Sequence, residues 1–367
     1  MRRIGWGIAA ALVSTPVGLA QTPADKRAEV VEALADALQQ DYVYPAIGKQ
    51  YADVLRGKAH DPAYAAGDDF EFAQRVTEDL VAVKADKHLR LLAPLPPAGA
   101  GGPRIIRSAG PGPGMKAVES SEKLTPDIAY IRFGVFPGDP ETMADVEQFL
   151  AANAGVKTLI VDVRGNRGGG MSEMDLMFSD LFTSSVDLVQ METTQSAAAK
   201  LPGMFVEGPT FRTLEAPPGR VLLQHFVSPS EHPRLANTKL YVLQSGFSGS
   251  AAEHFLLALK ISGRSTRVGE TSAGAGHFGF SKELPNGFST FVPVGRTFDP
   301  ATGWDWEANG VPPDVEVPAA EALVWALKDA GLSDAEARAI DTRVDFVPPK
   351  PRPAGAGPVT VRVPSSG

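Results

Sequence analysis

No cysteine occurs among the 367 residues, which excludes disulfides, thiolate zinc sites, iron–sulfur clusters and a cysteine nucleophile. A net basic surface is also missing. Lys and Arg number 35 against 43 Asp and Glu, for a formal charge of −8, so no nucleic-acid partner is expected. No apolar run reaches the roughly 18 residues of a spanning helix, so no membrane span is expected. Glycine and proline are plentiful instead, at 37 and 31. Much of that excess falls in two linker-like stretches and one glycine-rich loop. A composition of 43% hydrophobic and 21% charged residues is globular. The length suits one large domain or two ordinary ones.

Residues 1–20 read as a cleaved signal peptide. Arg2 and Arg3 form a positive start, Ile4 to Val13 a short apolar run, and Gly18-Leu19-Ala20 a small-residue cleavage site. The expected location is secreted or periplasmic. Residues 21–92 read as an N-terminal helical domain, with Val30, Leu34, Ala37 and Leu38, then Phe72, Val76 and Leu80, at helical spacing. Residues 93–126 read as a linker, with six prolines and six glycines between Pro94 and Gly114. The core is expected over 127–318, C-terminal helices over 319–345, and a proline-rich tail over 346–367. Within the core, TLIVDV (158–163) and KLYVLQS (239–245) are continuous apolar runs of the buried-strand kind.

Three loops follow such strands. Asp162-Val-Arg-Gly-Asn-Arg-Gly-Gly-Gly170 frees backbone N–H groups and allows close approach. It lacks the Lys-Ser/Thr of a phosphate-binding loop. Gly246-Phe-Ser-Gly-Ser-Ala-Ala-Glu253 joins a buried strand to a helix. A serine there is placed as a nucleophile, with a helix N-terminus to favour an oxyanion. Spacing alone equally admits a plain N-cap, because Ser250-Ala-Ala-Glu253 also fits the capping box. The third loop is Trp304-Asp-Trp-Glu-Ala-Asn-Gly-Val-Pro-Pro-Asp314, a lined cleft or a packed corner. Gly274-Ala-Gly276-His-Phe-Gly279 matches a dinucleotide fingerprint, but strand and turn follow it where a helix is required.

Taken together and in this order, the loops resemble a known family. LIVDVRGNRGGG is similar to a motif of the tail-specific (C-terminal processing) serine proteases, a family that includes the tricorn protease core and the interphotoreceptor retinoid-binding protein. SGSAAEHFLLALK resembles its nucleophile motif, VGETSAGAGH the strand and loop that follow, and WEANGVPPDVEV its closing motif. DYVYP and DKHLRL resemble the N-terminal region of the retinoid-binding branch. The resemblance implies an α/β fold, a crotonase-like (ClpP-like) β-β-α spiral core with an N-terminal helical cap. It implies a serine peptidase acting on peptides or unfolded protein, with no cofactor and no metal.

The tail-specific proteases use a lysine where this chain has Ala275, and the linker leaves little room for their PDZ domain. The tricorn pattern, carried over by position, gives Ser250 as nucleophile, His88 as base and Glu307 as its partner. Gly168 or Gly169, with Ala251, would form the oxyanion hole. A histidine is a suitable base near neutral pH, and a carboxylate fixes its tautomer. His277 is the rival base or a substrate contact. His60, His225, His232 and His254 are read as surface or packing residues without such partners. An apolar-ligand-binding protein and an esterase remain as alternatives.

Overall fold

The computed structural model describes residues 22–94, 104–105, 116–201, 203, 205–346 and 360–361. Residues 1–21, where the signal peptide is expected, most of the expected linker and most of the expected tail lie outside the described residues. The continuous apolar runs form the middle of a six-stranded sheet. Its order is Val315–Glu316, Thr266–Gly269, Lys239–Gln244, Thr158–Asp162, Ile128–Phe133 and Val118–Thr125. All neighbours are parallel except the last pair. Thr158 stands opposite both Ile128 and Lys239, which fixes the register of the three central strands.

Both faces of the sheet are covered at its centre, which is why Ile128–Phe133, Thr158–Asp162 and Lys239–Gln244 are buried almost throughout, whereas the edge strand Val118–Thr125 alternates. Leu159 and Val161 join Val146, Leu150, Phe178, Phe255 and Leu256 of the helices Pro140–Ala152, Ser172–Leu181 and Ala251–Ser262 in one core. Ile160 points the other way, with Tyr241 and Leu243. There it meets Leu323, Leu327 and Ile340 of Ala322–Asp329 and Asp334–Val344.

A second sheet of six strands was not legible in the sequence. It is antiparallel and joins Leu91–Leu92, Ser289–Phe298, Asp187–Thr194, Arg220–Phe226 and Phe211–Leu214 in that order, with His277–Glu283 on the other side of Ser289–Phe298. Polar and charged residues interrupt Asp187–Thr194 and Arg220–Phe226, so neither stands out as an apolar run. The N-terminal helices Pro23–Asp41, Pro45–Lys58 and Asp69–Val83 pack on this sheet. Val30, Leu34, Tyr51, Phe72 and Leu80 share a core with Phe288, Val292 and Val294. Capping boxes at Thr22/Asp25 and Asp68/Glu71 fix where the first and last of these helices begin. The segment leaving them adds a strand, Leu91–Leu92, against Thr290 and Ser289. That pairing brings residues 84–90 to the edge of the core.

Candidate active site

The strand Thr158–Asp162 ends on an ion pair. Asp162 and Arg164 are fully buried, with Arg164 Nη2 2.6 Å from Asp162 Oδ2. Tyr130 donates to the same oxygen at 2.7 Å, and Arg164 Nη1 donates to the Ala319 carbonyl at 2.7 Å. Two charges taken out of water are tolerated because these hydrogen bonds satisfy them. They pin the turn, and Asn166 then shapes the glycine loop. Its Oδ1 accepts from Gly168 N–H at 2.7 Å, and its carbonyl accepts from Gly249 N–H at 3.0 Å. Gly168 and Gly169 have φ of 105° and 129°. A Cβ on Gly168 would lie 2.6 Å from Ser250 Cβ, so only glycine lets the two loops meet.

The strand Lys239–Gln244 leads into the second loop, where two serines have different surroundings. Ser248 is fully buried; its Oγ donates to Val163 O at 2.7 Å and accepts from Ser245 N–H at 3.0 Å. It is a structural link between loops. Ser250 is half-buried and adopts φ 55°, ψ −120°, a conformation that non-glycine residues rarely occupy. It makes no side-chain cap hydrogen bond. Its carbonyl accepts from Glu253 and His254 N–H at 2.8 and 3.0 Å. Only the reverse half of the box forms through a side chain: Glu253 accepts from Ser250 N–H at 2.9 Å.

Glu253 ties the nucleophile loop to the third element. Its buried carboxylate also accepts from Ser272 Oγ and from the N–H groups of Gly274 at 2.7 Å and Ala275 at 2.8 Å. Burial raises its pKa above the ordinary value against these hydrogen bonds. Ala275, at the lysine position of the tail-specific pattern, thus contributes a backbone donor and no base.

Two residues further on stands His277, 1% exposed, with Nδ1 2.7 Å from Asp86 Oδ2. Asp86 also accepts from Tyr42 OH at 3.0 Å and from His88 and Leu89 N–H at 3.0 and 3.2 Å. Burial opposes its charge, but His277 and these donors hold its pKa below the usual carboxylate value. An ionised Asp86 makes Nδ1 the protonated nitrogen and leaves Nε2 with its lone pair. Among the described residues that Nε2 has no hydrogen-bond partner.

Glu307 accepts from Gly276 N–H at 2.6 Å, His277 N–H at 3.0 Å and Lys87 N–H at 2.7 Å. Its nearest approach to the His277 ring is 3.8 Å. Burial, with the Asp86 charge nearby, raises its pKa.

The structure therefore gathers Asp86, His277 and Glu307, and places Ser250, Gly168, Gly169 and Ala251 on the adjoining loops. It does not pair Glu307 with the His88 ring. That ring lies 5.1 Å from the Phe291 ring, its buried Nδ1 has no partner among the described residues, and burial pushes its pKa down to about 4. The signal missed in the sequence is Asp86, two residues before His88 and hydrogen-bonded across 191 positions. The Gly168 N–H is occupied by Asn166 Oδ1. Among the described residues no hydrogen bond occupies the N–H of Gly169 or Ala251. His225 and His254 also differ from expectation. They are buried and bonded to each other at 2.9 Å, with His225 bonded to Asp175 at 2.8 Å.

Asp86, His277 and Glu307 offer ligand atoms within 4.8 Å of one another, the spacing of a metal-ligand set. However, Asp86 already accepts four hydrogen bonds and Glu307 three, and the histidine needs its Asp86 bond to hold its tautomer. The donor set suits proton transfer better than cation binding.

A mixed α/β fold with a serine at a strained strand-to-helix turn, glycine N–H groups beside it and a carboxylate–histidine pair is the architecture of a serine hydrolase. Among solved structures, the chain is similar to a peptidase candidate from Parabacteroides merdae ATCC 43184, at 19% identity and TM-score 0.57, over 86% of this chain and 98% of that one. It is also similar to a photosystem II D1 C-terminal processing protease, at 17% identity and TM-score 0.50, over 80% and 93%. The tricorn protease matches at 12% identity and TM-score 0.52, over 88% of this chain and 37% of that one. The model of peptidase family S41 matches residues 127–317, and the chain belongs to that family of serine peptidases.

Proposed function

We propose that this chain is an exported serine peptidase that hydrolyses peptide bonds in peptides or unfolded protein, with Ser250 as nucleophile and His277, oriented by Asp86, as base. The observation that carries this reading is the Asp86–His277 hydrogen bond with Nε2 left free. Glu253 carries the geometry further, since it holds Ser250 N–H and Ala275 N–H on one carboxylate. No hydrogen bond joins Ser250 to Nε2 in this structure; such bonds tighten when substrate arrives. Nε2 takes the Ser250 proton as Oγ attacks the carbonyl, and Asp86 stabilises the imidazolium. Gly169 and Ala251 N–H receive the developing oxyanion. Protonated Nε2 then returns the proton to the leaving amine, and water repeats the sequence on the acyl-enzyme. Glu307 acts as a positioning residue that fixes the backbone of Gly276 and His277.

A second assignment keeps the Ser250, His88 and Glu307 set. It is favoured by one contact: Glu307 holds Lys87 N–H, one residue from His88. The crotonase-like spiral with a helical cap is supported by the parallel sheet and by the N-terminal helices packed on the second sheet. Export is supported by the sequence of residues 1–20. Among the described residues no helix is long and apolar enough to cross a membrane.

The test is labelling of the folded protein with a fluorophosphonate, followed by peptide mapping and assays on casein and on p-nitrophenyl esters. Modification of Ser250 with casein cleavage is the expected result. No labelling and no turnover would leave the apolar-ligand-binding alternative, and ester turnover without peptide cleavage would make the chain an esterase.

A further inference from the structure

Arg167 stands in the glycine loop, one residue before Gly168, and its side chain is exposed. Its guanidinium lies over the Phe247 ring, 5.5 Å from the centroid. Arg164, Arg234, Arg267 and Arg296 are each tied to a carboxylate. Among the described residues, no hydrogen bond or ion pair holds the Arg167 guanidinium.

The Arg167 backbone is held next to the nucleophile loop, and its guanidinium rests on Phe247 of that loop. The Cβ position of Gly168 falls 2.6 Å from Ser250 Cβ, and that of Gly249 falls 3.9 Å from the Arg167 carbonyl oxygen. Phe247, which supports the guanidinium, lies three residues before Ser250. A cation resting on an aromatic face is attracted by the ring and restricted in its motion, so less freedom is lost when it binds. Its planar fork of N–H groups matches a carboxylate in two-point contact. The chain as a whole carries −8, so a positive group with no carboxylate partner is needed wherever an acidic ligand is to be held.

We propose that Arg167 is a specificity-determining residue that recognises a carboxylate of the peptide close to the scissile bond. The carboxylate comes from an acidic side chain or from the free C-terminus of the substrate. This inference rests on the peptidase reading and names the substrate class that reading leaves open.

The experiment uses quenched-fluorescent peptides of one sequence, with Glu or Gln at the two positions on either side of the cleaved bond. Each is made as the free acid and as the C-terminal amide. The quantity read is the ratio of kcat/KM between carboxylate and amide members, within each protein variant. The wild-type ratio is expected to be about tenfold, the scale of one charge-assisted contact. It should fall to about one in Arg167→Gln, be partly kept in Arg167→Lys and invert in Arg167→Glu. It should also shrink at about 0.5 M salt. A ratio that follows Glu against Gln identifies a side chain, and one that follows acid against amide identifies the terminus. A wild-type ratio of one, or equal ratios in wild type and Arg167→Gln, overturns the proposal.

A binding arm separates this inference from the peptidase reading. Fluorescence anisotropy compares the same peptides on Ser250→Ala and on Ser250→Ala/Arg167→Gln. If no peptide is cleaved by the wild type, but Ser250→Ala prefers carboxylate peptides through Arg167, the peptidase reading fails and carboxylate recognition stands. Equal binding of carboxylate and amide peptides to Ser250→Ala overturns the inference.

Discussion

His277 and Asp86 lie 191 residues apart in the chain and meet at 2.7 Å, both buried. The N-terminal segment therefore supplies part of the proposed site, and the strand pairing of Leu91–Leu92 with Ser289 and Thr290 holds it there. Replacing His277 leaves Asp86 only its Tyr42, His88 and Leu89 donors, and replacing Asp86 removes the charged acceptor that fixes Nδ1. His277→Ala is expected to lower turnover by on the order of 10⁴-fold, as loss of a triad member does. Asp86→Asn should cost a similar factor, because an amide can present the wrong atom to Nδ1. His88→Ala should cost far less. Steady-state kinetics of the three variants decide the matter; a dead His88→Ala beside a near-wild-type His277→Ala would instead support the His88–Glu307 assignment.

Ser250 and Ser248 separate in a second experiment that reads labelling and stability together. Ser250→Ala and Ser250→Gly should both lose fluorophosphonate labelling. Ser250→Gly should melt higher than Ser250→Ala, because glycine accepts φ 55° without the cost of about 1–3 kcal/mol that a Cβ carries there. Ser248→Ala should behave in the opposite way. Removing its Oγ strands the buried Ser245 N–H, at a cost of about 1–3 kcal/mol, and leaves the Val163 carbonyl with the Asn166 N–H alone, while the nucleophile remains. Labelling that survives in Ser250→Ala would reverse the assignment.

The parts of this site that are local in sequence were legible in it. A buried apolar run followed by Asp162 to Gly170 announces a strand and a glycine loop, and Ser250 precedes a helix with Glu253 one turn on. The choice of histidine was not legible. His88 and Asp86 share one short segment, and no periodicity tells which of the two turns toward His277. The second sheet was hidden for a related reason. Strands such as Arg220–Phe226 bury one set of side chains against helices far away in sequence, so their pattern is too short and too polar to read. His225 belongs to that sheet, which is why its contacts with His254 and Asp175 could not be anticipated from spacing.

Gly168→Ala tests the closeness of the two loops. The added Cβ would lie 2.6 Å from Ser250 Cβ and 2.9 Å from Ala251 N, at a φ of 105°. Backbone cannot yield there as a flexible side chain would, so the loops must separate. The expected outcome is loss of fluorophosphonate labelling together with a lower melting temperature. Asn166→Ala should act in the same direction by freeing Gly168 N–H, at about 1–3 kcal/mol. Labelling at the wild-type rate in Gly168→Ala would show that the oxyanion donors do not depend on this packing.

His88 gives a prediction about stability rather than rate. Burial lowers its pKa to about 4, against 6.5 for the exposed ring. Between those values the unfolded chain binds a proton that the folded protein does not, so the folded state loses stability as pH falls. Above about pH 6.5 both states are neutral at this ring and the effect vanishes. By about pH 4 the loss amounts to roughly 3 kcal/mol, since each pH unit in that interval costs about 1.4 kcal/mol. His88→Gln removes the titrating group and should flatten the pH dependence of unfolding between about pH 4 and 6.5. The measurement is urea denaturation of wild type and His88→Gln across that interval, compared as a difference so that Asp86 and the other carboxylates cancel. A difference that stays constant from about pH 7.5 down to about pH 4 would mean that His88 is not held neutral by burial.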